Sequence, residues 1–476
     1  MKKTKQRTNK VNYNENISFP VGTALAVEKY GEKLCFDHIF SKFKQRGVPL
    51  EGLVKALISY KLSENLSLSR GSDWINRCEV LEEFGLKSFE QKTLYRAIET
   101  IGMNYQEIIL DLQDLIFSQY DFIHTDVNMD WSSLILWGDK ASLGKYGYSR
   151  DHRPDKKQVM FGITELRKPI NIPIGLTIAK GNLNDQTHFQ TTFNQVRNNL
   201  KNNSMIIFDK GANGKDNLNS IIASKMQFLT AKKLNASDDK LIKKFWDLKP
   251  LEIDKDEGVY GFKQEFPTRT NYFFFSKKLK TENLASSLRK AERQLQQAKE
   301  IEEVCSGKKK LPKKYKINNV LVSATINYQT KLKILSEEQA FKLVKKASIT
   351  GREGFFCLTS SKNLTLKQAL YLYREKDSVE KIMHSLKNEI NIKPLRVWTD
   401  NSIYGALLIG YLAHLIISLI RYDEPELKTF STKFIKISLS NLTVTIEKLK
   451  THKKRRIYSN FDWINQLICI KNKVIT

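Results

Sequence analysis

Five polar residues between positions 373 and 387 are spaced so that one face of a helix would carry them: Tyr373, Lys376, Glu380, His384 and Lys387. A helix turns by about 100° per residue, so spacings of three and four residues keep them in one sector. Apolar residues occupy the opposite side: Val379, Ile382, Met383 and Leu386. The pattern predicts an amphipathic helix. Its polar face is either a solvated face with helix-spaced ion pairs or a site where Glu380 ligates a metal ion.

Two further carboxylates stand where strands are predicted to end. Asp126 closes the alternating stretch YDFIHTD, and Asp209 follows the continuous apolar run from Met205 to Phe208, which is typical of a strand buried on both faces. Carboxylates at strand ends and on an adjacent helix can hold two Mg²⁺ ions, roughly 3.5–4 Å apart, around a phosphodiester. The same region contains rival carboxylates: Asp130, Asp139, Asp151, Asp155 and Asp185.

The net charge of the chain indicates which classes of molecule it binds. It has 79 Lys and Arg against 51 Asp and Glu, a formal net charge of +28 over 476 residues. Such an excess repels itself unless a polyanion neutralises part of it. Nucleic acid is the first candidate partner, and an anionic membrane surface is the second.

Targeting and redox signals are weak. The apolar run from Tyr404 to Ile420 is at the short limit for a membrane span and contains Gly405, Gly410 and His414, so a buried helix is the preferred interpretation. No apolar segment follows the basic N-terminus, which predicts a cytoplasmic protein. The five cysteines are scattered without a CxxC pair, which favours reduced, structural thiols.

The first part of the chain, residues 1–118, has apolar residues at helical spacing and predicts an all-helical domain. Within it, GLKSFEQKTLYRAIETIG predicts a turn and a helix that exposes Gln91, Lys92, Tyr95 and Arg96. This arrangement could be a helix-turn-helix that reads a DNA major groove, with Lys92 and Arg96 as contacts. An ordinary small helical bundle remains the alternative.

The order of elements after residue 118 predicts an α/β fold. Three strands, a helix, a strand, a helix and a strand follow in residues 119–232, which is the order of a ribonuclease H-like core with a mixed sheet flanked by helices. Residues 233–350 are lysine-rich and irregular and predict an insertion domain, with basic loops from 308 to 316 that could touch phosphates. Residues 351–425 would complete the core, and residues 426–476 form a basic, helical tail.

A specific resemblance joins these features. The segment from Tyr373 to Lys387 resembles the Tyr-x2-Arg-x3-Glu-x6-Lys signature of DDE insertion-sequence transposases of the insertion-sequence-four superfamily, with Lys376 where the family usually has Arg. Further similarity lies in HTDVNMDWS, LGKYGYSRDHRPDKKQV, IIFDKGANGKDN and GREGFFCLTS, and covers about residues 115 to 425. Lysine keeps the positive charge but lacks the planar fork with which Arg grips phosphate.

The resemblance implies a ribonuclease H-like core that binds the terminal inverted repeats of a mobile element, cuts one strand, and joins the freed 3′-OH to target DNA. In this scheme Asp126, Asp209 and Glu380 ligate two Mg²⁺ ions, for which Mn²⁺ can substitute. Tyr373, Lys376 and Lys387 would contact the DNA end, and Arg150, Arg153 and Lys157 would line its path. A homodimer assembled on double-stranded DNA is expected.

Two other functions remain open. A DNA-binding protein derived from such an enzyme would keep the fold and the charge without catalysis, and would bind DNA equally well without the carboxylates. A nuclease that only hydrolyses is a third possibility. The Tyr-Lys-Glu-Lys face argues against it, because that face could hold a DNA end.

Overall fold

The fold is described from a computed structural model, which covers residues 18–44, 46–63, 67–305, 326–327, 331–332, 348–393, 395–448 and 454–470. The basic N-terminus, the lysine-rich loops at 308–316 and the start of the HKKRR cluster lie outside these residues. Contacts divide the chain into two compact units, residues 1–227 with 375–476, and residues 228–374. The five segments expected from the sequence remain predictions.

Helices dominate the first hundred described residues. They are α1 (Gly22–Lys33), α2 (Phe36–Ser41), α3 (Leu50–Leu62), α4 (Leu68–Ile75), α5 (Cys78–Glu83), α6 (Gln91–Met103) and α7 (Tyr105–Gln119). Helix α6 lies within the segment predicted to be a turn and a helix, and Gln91, Lys92, Tyr95 and Arg96 are exposed on it as expected. Its opposite face is buried through Leu94, Ile98 and Ile101 at helical spacing.

Four strands of the first unit, which come after these helices in the chain, pair in the order β4-β3-β2-β5. They are β2 (Val127–Ile135), β3 (Gln158–Leu166), β4 (Ile172–Lys180) and β5 (Met205–Phe208). Strands β2, β3 and β4 form an antiparallel meander, whereas β5 pairs parallel to β2. Helix α8 (Asp185–Val196) packs on one face, where the Trp131 indole N–H donates to Thr192 Oγ1 at 2.9 Å.

Three further strands of the first unit form a small antiparallel sheet: β1 (Ser18–Pro20), β13 (Thr443–Lys448) and β14 (Lys454–Ser459). Helix α9 (Lys215–Ala223) follows β5 at the predicted place. Residues 120–126 form no strand, because β2 begins at Val127. Asp126 therefore precedes a strand instead of ending one.

The second unit is described by itself. Its strands pair antiparallel in the order β6-β12-β9-β8-β7, apart from the separate pair β10-β11. They are β6 (Gln227–Lys232), β7 (Leu251–Asp254), β8 (Val259–Phe266), β9 (Arg269–Ser276), β10 (Ile326–Asn327), β11 (Lys331–Leu332) and β12 (Phe355–Ser360). Its helices are α10 (Ala236–Lys243), α11 (Lys277–Cys305) and α12 (Leu366–Arg374). Phenylalanines of β9 and β12 form its core with Phe245.

The segment expected to be one helix from Tyr373 to Lys387 is instead two helices. Helix α12 ends at Arg374, α13 spans Asp377–His384, and residues 385–389 form a π-helical turn. The residues at the break are held by different partners: Arg374 pairs with Asp254 within the second unit, and Glu375 pairs with Arg167 within the first.

The last helices belong to the first unit: α14 (Asp400–Asp423), α15 (Thr432–Asn441) and α16 (Trp463–Cys469). Helix α14 contains the long apolar run and is apolar enough to span a membrane by length and composition, but 89% of its most apolar window is buried inside the protein. It packs on α6 and α3, as a core helix does. A capping box between Thr399 and Ser402 begins it.

Candidate active site

The positions of Asp130 and Asp209 follow from strand pairing. Val127 pairs with Ile206 and Asn128 with Ile207 where β2 and β5 run parallel. Continuing this register by two residues places Asp130 opposite Asp209, which directly follows β5. Both side chains are half-buried. Two carboxylates on neighbouring parallel strands at the same level can face a common ligand.

Asp126 lies at the other end of β5. Its Oδ1 accepts a hydrogen bond of 2.8 Å from the backbone N–H of Met205, the first residue of that strand. Four residues of strand, about 13 Å, separate this level from Asp130 and Asp209. The structure therefore does not bring Asp126 and Asp209 together, because the strand that Asp126 was expected to end only begins after it.

Helix α13 brings Glu380 to the carboxylates. It packs on β2 and β3 and buries Val379, Ile382 and Met383, as the sequence predicts. Lys376, at its N-cap, is only 4% exposed and its Nζ lies 2.8 Å from Glu380 Oε1. The ammonium group also interacts electrostatically with Asp130 and Asp209. Lys376 thus pairs with Glu380 and lies within electrostatic range of Asp130 and Asp209, although the helical pattern predicted an exposed lysine.

The charges at this site perturb one another. Burial raises the pKa of Asp130, an effect that the nearby Lys376 and Arg150 oppose and that Glu380 reinforces. For Lys376, burial alone would lower the pKa, but Asp130 and Glu380 outweigh it and the net shift is upward. A lysine that stays charged while buried among carboxylates compensates their mutual repulsion.

Arg150 connects the site to the start of α8. Its guanidinium donates to Asp185 Oδ2 at 2.7 Å, and it is near enough to Asp130 to oppose that residue's pKa shift. Asp185 in turn interacts with Asp209, and burial is the main cause of its raised pKa. The backbone approaches closely here, since a Cβ on Gly211 would lie 2.8 Å from Asp185 Oδ2. Arg150 therefore borders the carboxylates, where the sequence placed only a DNA path.

The other residues of the predicted helical face do not lie together in the structure. Lys387 is buried in the π-helical turn and its Nζ is 3.5 Å from Asp151 Oδ1, while burial lowers its pKa. His384 is exposed. Tyr373 lies half-buried in α12 of the second unit. Asp151 thus pairs with a lysine.

The remaining predicted DNA contacts lie on the surface. Arg153 pairs bidentately with Asp155, at 2.8 and 2.7 Å, and is exposed. Lys157 Nζ is 3.7 Å from Asp139. Lys92 and Arg96 are exposed on α6. The structure does not gather these residues at the carboxylates.

A buried polar network under α13 was missed by sequence reasoning. Glu165 on β3 is fully buried, and its Oε1 accepts hydrogen bonds from Asn128 Nδ2, at 2.8 Å, and from the Ser378 hydroxyl. Burial raises its pKa to about 7, against the effect of Ser378 and Asn128. Asn128 and Ser378 lie two residues from Asp130 and Glu380, respectively. The network therefore holds α13 on the sheet next to the carboxylates.

Comparison with known proteins now bears on this arrangement. A family model described as "Transposase DDE domain" matches residues 132–416, more than half of the chain. The chain belongs to this transposase family. The match begins after both Asp126 and Asp130, so it does not choose between them. No curated protein matches the transposase.

Among solved structures, the transposase is similar to a piggyBac transposase in a cryo-EM synaptic complex with hairpin DNA. The sequence identity is 11% and the TM-score 0.41, over 90% of this chain and 82% of the other. Similarity at this level carries no argument about chemistry.

The donor set of the transposase suits a hard divalent cation. Asp130, Asp209 and Glu380 offer carboxylate oxygens, the ligands that Mg²⁺ prefers. Within the described parts of the chain, no group of three His, Cys, Asp or Glu side chains is close enough to hold an ion. The three carboxylates are thus the kind of donor that a divalent cation prefers, but in this structure they lie further apart than the ligands of one ion.

Proposed function

We propose that this transposase binds the terminal inverted repeats of an insertion sequence and catalyses metal-dependent strand cleavage and strand transfer. The observation that carries the proposal is the pairing register that puts Asp130 level with Asp209, beside a buried Lys376 that pairs with Glu380 and interacts electrostatically with both aspartates. The Tyr-Lys-Glu-Lys spacing supports membership of the insertion-sequence-four superfamily.

The catalytic carboxylates in this proposal are Asp130, Asp209 and Glu380, with Asp130 replacing Asp126. Bound Mg²⁺ or Mn²⁺ ions would activate the attacking oxygen and stabilise charge on the phosphate. Glu380 is the most movable of the three, since its side chain is 59% exposed and is held by one ion pair to Lys376. Asp130 and Asp209 are fixed by the strands that carry them.

The basic groups around the carboxylates would hold the DNA backbone. Lys376 and Arg150 border the acidic group, so they can neutralise a phosphate that enters beside it. Lys387 is further away and is engaged with Asp151, so it would reach DNA only by leaving that partner.

The wider architecture supports the same proposal. A sheet in the order β4-β3-β2-β5 with α8 on one face and α13 on the other suits a ribonuclease H-like core. The exposed Lys92 and Arg96 on α6 suit a helical domain that contacts duplex DNA. We place the protein in the cytoplasm, at the nucleoid, and expect it to act as a homodimer assembled on two element ends.

A catalytically inactive DNA-binding protein remains the second candidate. The net charge of +28 would serve it equally well. The buried Lys376 among carboxylates favours the enzyme, because a protein that only binds polyanions gains nothing from an acidic group at this position.

A strand-transfer assay tests the proposal. A labelled duplex that ends in the inverted repeat flanking the gene is incubated with the protein, Mg²⁺ and a target plasmid, and the products are resolved on a denaturing gel. The proposal predicts a cut at the repeat end with a free 3′-OH and a labelled product joined to the plasmid. Tight binding of the repeat with neither product would favour the inactive protein.

A further inference from the structure

Two exposed tryptophans lie on neighbouring backbone segments close to the end of β2. Trp137 is 52% exposed and Trp398 is 62% exposed. Neither takes part in the site built on Asp130. Exposing large aromatic side chains to water costs free energy, so two of them on neighbouring segments indicate a binding partner.

The backbone joins these two segments. Leu136 and Leu395 form a parallel β-bridge, and the Trp137 N–H donates to the Leu395 carbonyl oxygen at 3.0 Å. The segments are so close that a Cβ on Gly138 would lie 2.4 Å from the Val397 carbonyl oxygen. The bridge sets Trp137 beside Arg396, with Trp398 two residues further on.

Burial alternates along the second segment. Leu395 and Val397 are buried, whereas Arg396 and Trp398 are exposed. In extended backbone this alternation puts Arg396 and Trp398 on one side. We call the surface formed by Trp137, Arg396 and Trp398 the tryptophan face.

Two lysines lie over the rings of the tryptophan face. Lys156 Nζ lies 4.5 Å from the ring centroid of Trp137, and Lys140 Nζ lies 5.2 Å from that of Trp398. These contacts are exposed cation–π interactions, which are weaker than the stacking of a nucleic-acid base on tryptophan. A base can therefore displace each lysine, and the released ammonium group can pair with a phosphate.

A cavity of about 530 Å³ adjoins this face, since Arg396 and Val397 line it. The basic residues among its described lining are Lys61, Arg70, Lys393 and Arg396, and no carboxylate lines it. Tyr95, exposed on α6, lines the same cavity. A planar apolar group with an attached anion matches this lining, as a nucleotide does.

We propose that the tryptophan face binds a single-stranded segment of DNA by stacking Trp137 and Trp398 on unpaired bases. This inference rests on the proposed DNA substrate. Bases in a duplex stack on one another and do not offer their faces, so paired DNA would use only the basic groups here. Arg396, Lys140 and Lys156 contact the phosphates of the bound strand.

The position of the tryptophan face limits which nucleotides it can bind. Trp137 comes seven residues after Asp130, a span of at most about 23 Å. At the duplex spacing of about 3.4 Å per nucleotide, this span covers at most about seven nucleotides. The tryptophan face would therefore bind bases within about seven nucleotides of the cleaved bond.

The test compares single-stranded and double-stranded DNA. The probes are a fluorescent oligothymidylate of about 12 nucleotides and a blunt duplex of about the same length, titrated at one salt concentration. The variant is the double substitution Trp137→Leu and Trp398→Leu, which keeps apolar bulk and removes the rings. The matched control is Trp463→Leu, at a tryptophan that is also 52% exposed.

The proposal predicts that the double variant loses about tenfold or more in affinity for the oligothymidylate, while duplex affinity changes less than about twofold. The control should bind both probes like the wild type. Equal losses for both probes would overturn it, since they indicate phosphate contacts alone, and so would unchanged binding or an equal loss in the control. No strand is cut in this assay, so a protein that fails to cleave its repeat can still pass it.

Discussion

Lys376 and Lys381 form the same ion pair in two environments. Each lies four residues from its carboxylate, with an N–O distance of 2.8 Å, in Lys376–Glu380 and in Asp377–Lys381. The Lys376 side chain is 5% exposed, whereas that of Lys381 is 76% exposed. Exposed pairs contribute little, whereas removing one partner of a buried group leaves uncompensated charge.

Replacing Lys376 should therefore cost far more stability than replacing Lys381. We expect Lys376→Met to lower the free energy of unfolding by about 2 kcal/mol or more, because Asp130 and Asp209 lose the cation beside them. Lys381→Met, the control, should change it by less than about 0.5 kcal/mol. Urea denaturation at neutral pH measures both. Similar losses in the two variants would mean that Lys376 does not compensate the carboxylates.

Helices α6 and α14 cross with almost no side chains between them. A Cβ on Gly102 would lie 1.8 Å from the Asn401 carbonyl oxygen, and one on Gly405 would lie 2.0 Å from the Ile98 carbonyl oxygen. Glycine at both positions is what allows the backbones to approach. The crossing fixes the helix that carries Lys92 and Arg96 on the buried helix α14.

Adding one methyl group at this crossing should loosen it. Gly405→Ala is expected to lower the free energy of unfolding by about 2–3 kcal/mol, since the contacted atom is rigid backbone. Gly31→Ala is the matched helical control: its Cβ would meet only side chains, Lys55 at 3.1 Å and the Phe36 ring at 3.2 Å, and alanine favours the helix. Denaturation followed by circular dichroism compares them, and a destabilisation that is no larger for Gly405→Ala than for Gly31→Ala would contradict this view of the crossing.

Several elements could be predicted because their cause is local. The apolar side of α13 and the continuous run of β5 are periodic patterns within one element, and both are buried as expected. The position of Asp126 along β5 depends on where β2 begins and on pairing with a strand 79 residues away in the chain. Alternation continues from Tyr120 to Asp126, so the pattern alone does not mark that beginning. A helical wheel likewise showed that Lys376 and Glu380 share a face, but not that a sheet lies against Lys376.

At the scale of the whole molecule, charge should govern the association with DNA. The net charge of +28 implies that bound DNA releases many counterions. If 6–10 phosphates are contacted, affinity should fall by about 10³-fold or more between about 50 and 200 mM salt. Fluorescence anisotropy of a labelled duplex at several salt concentrations gives the slope. An affinity that is nearly independent of salt would exclude extensive phosphate contact.

The central claim is that Asp130 works with Asp209 and Glu380 on the phosphodiester, and that Asp126 does not. The most direct measurement is strand cleavage at the repeat end in Mg²⁺ by Asp130→Asn and Asp126→Asn, at equal concentrations of folded, DNA-binding protein. We predict that Asp130→Asn loses nearly all cleavage, because it removes a carboxylate from the metal-binding group. Asp126→Asn should cleave at a rate near that of the wild type. Cleavage by Asp130→Asn at near wild-type rate, together with its loss in Asp126→Asn, would contradict the account.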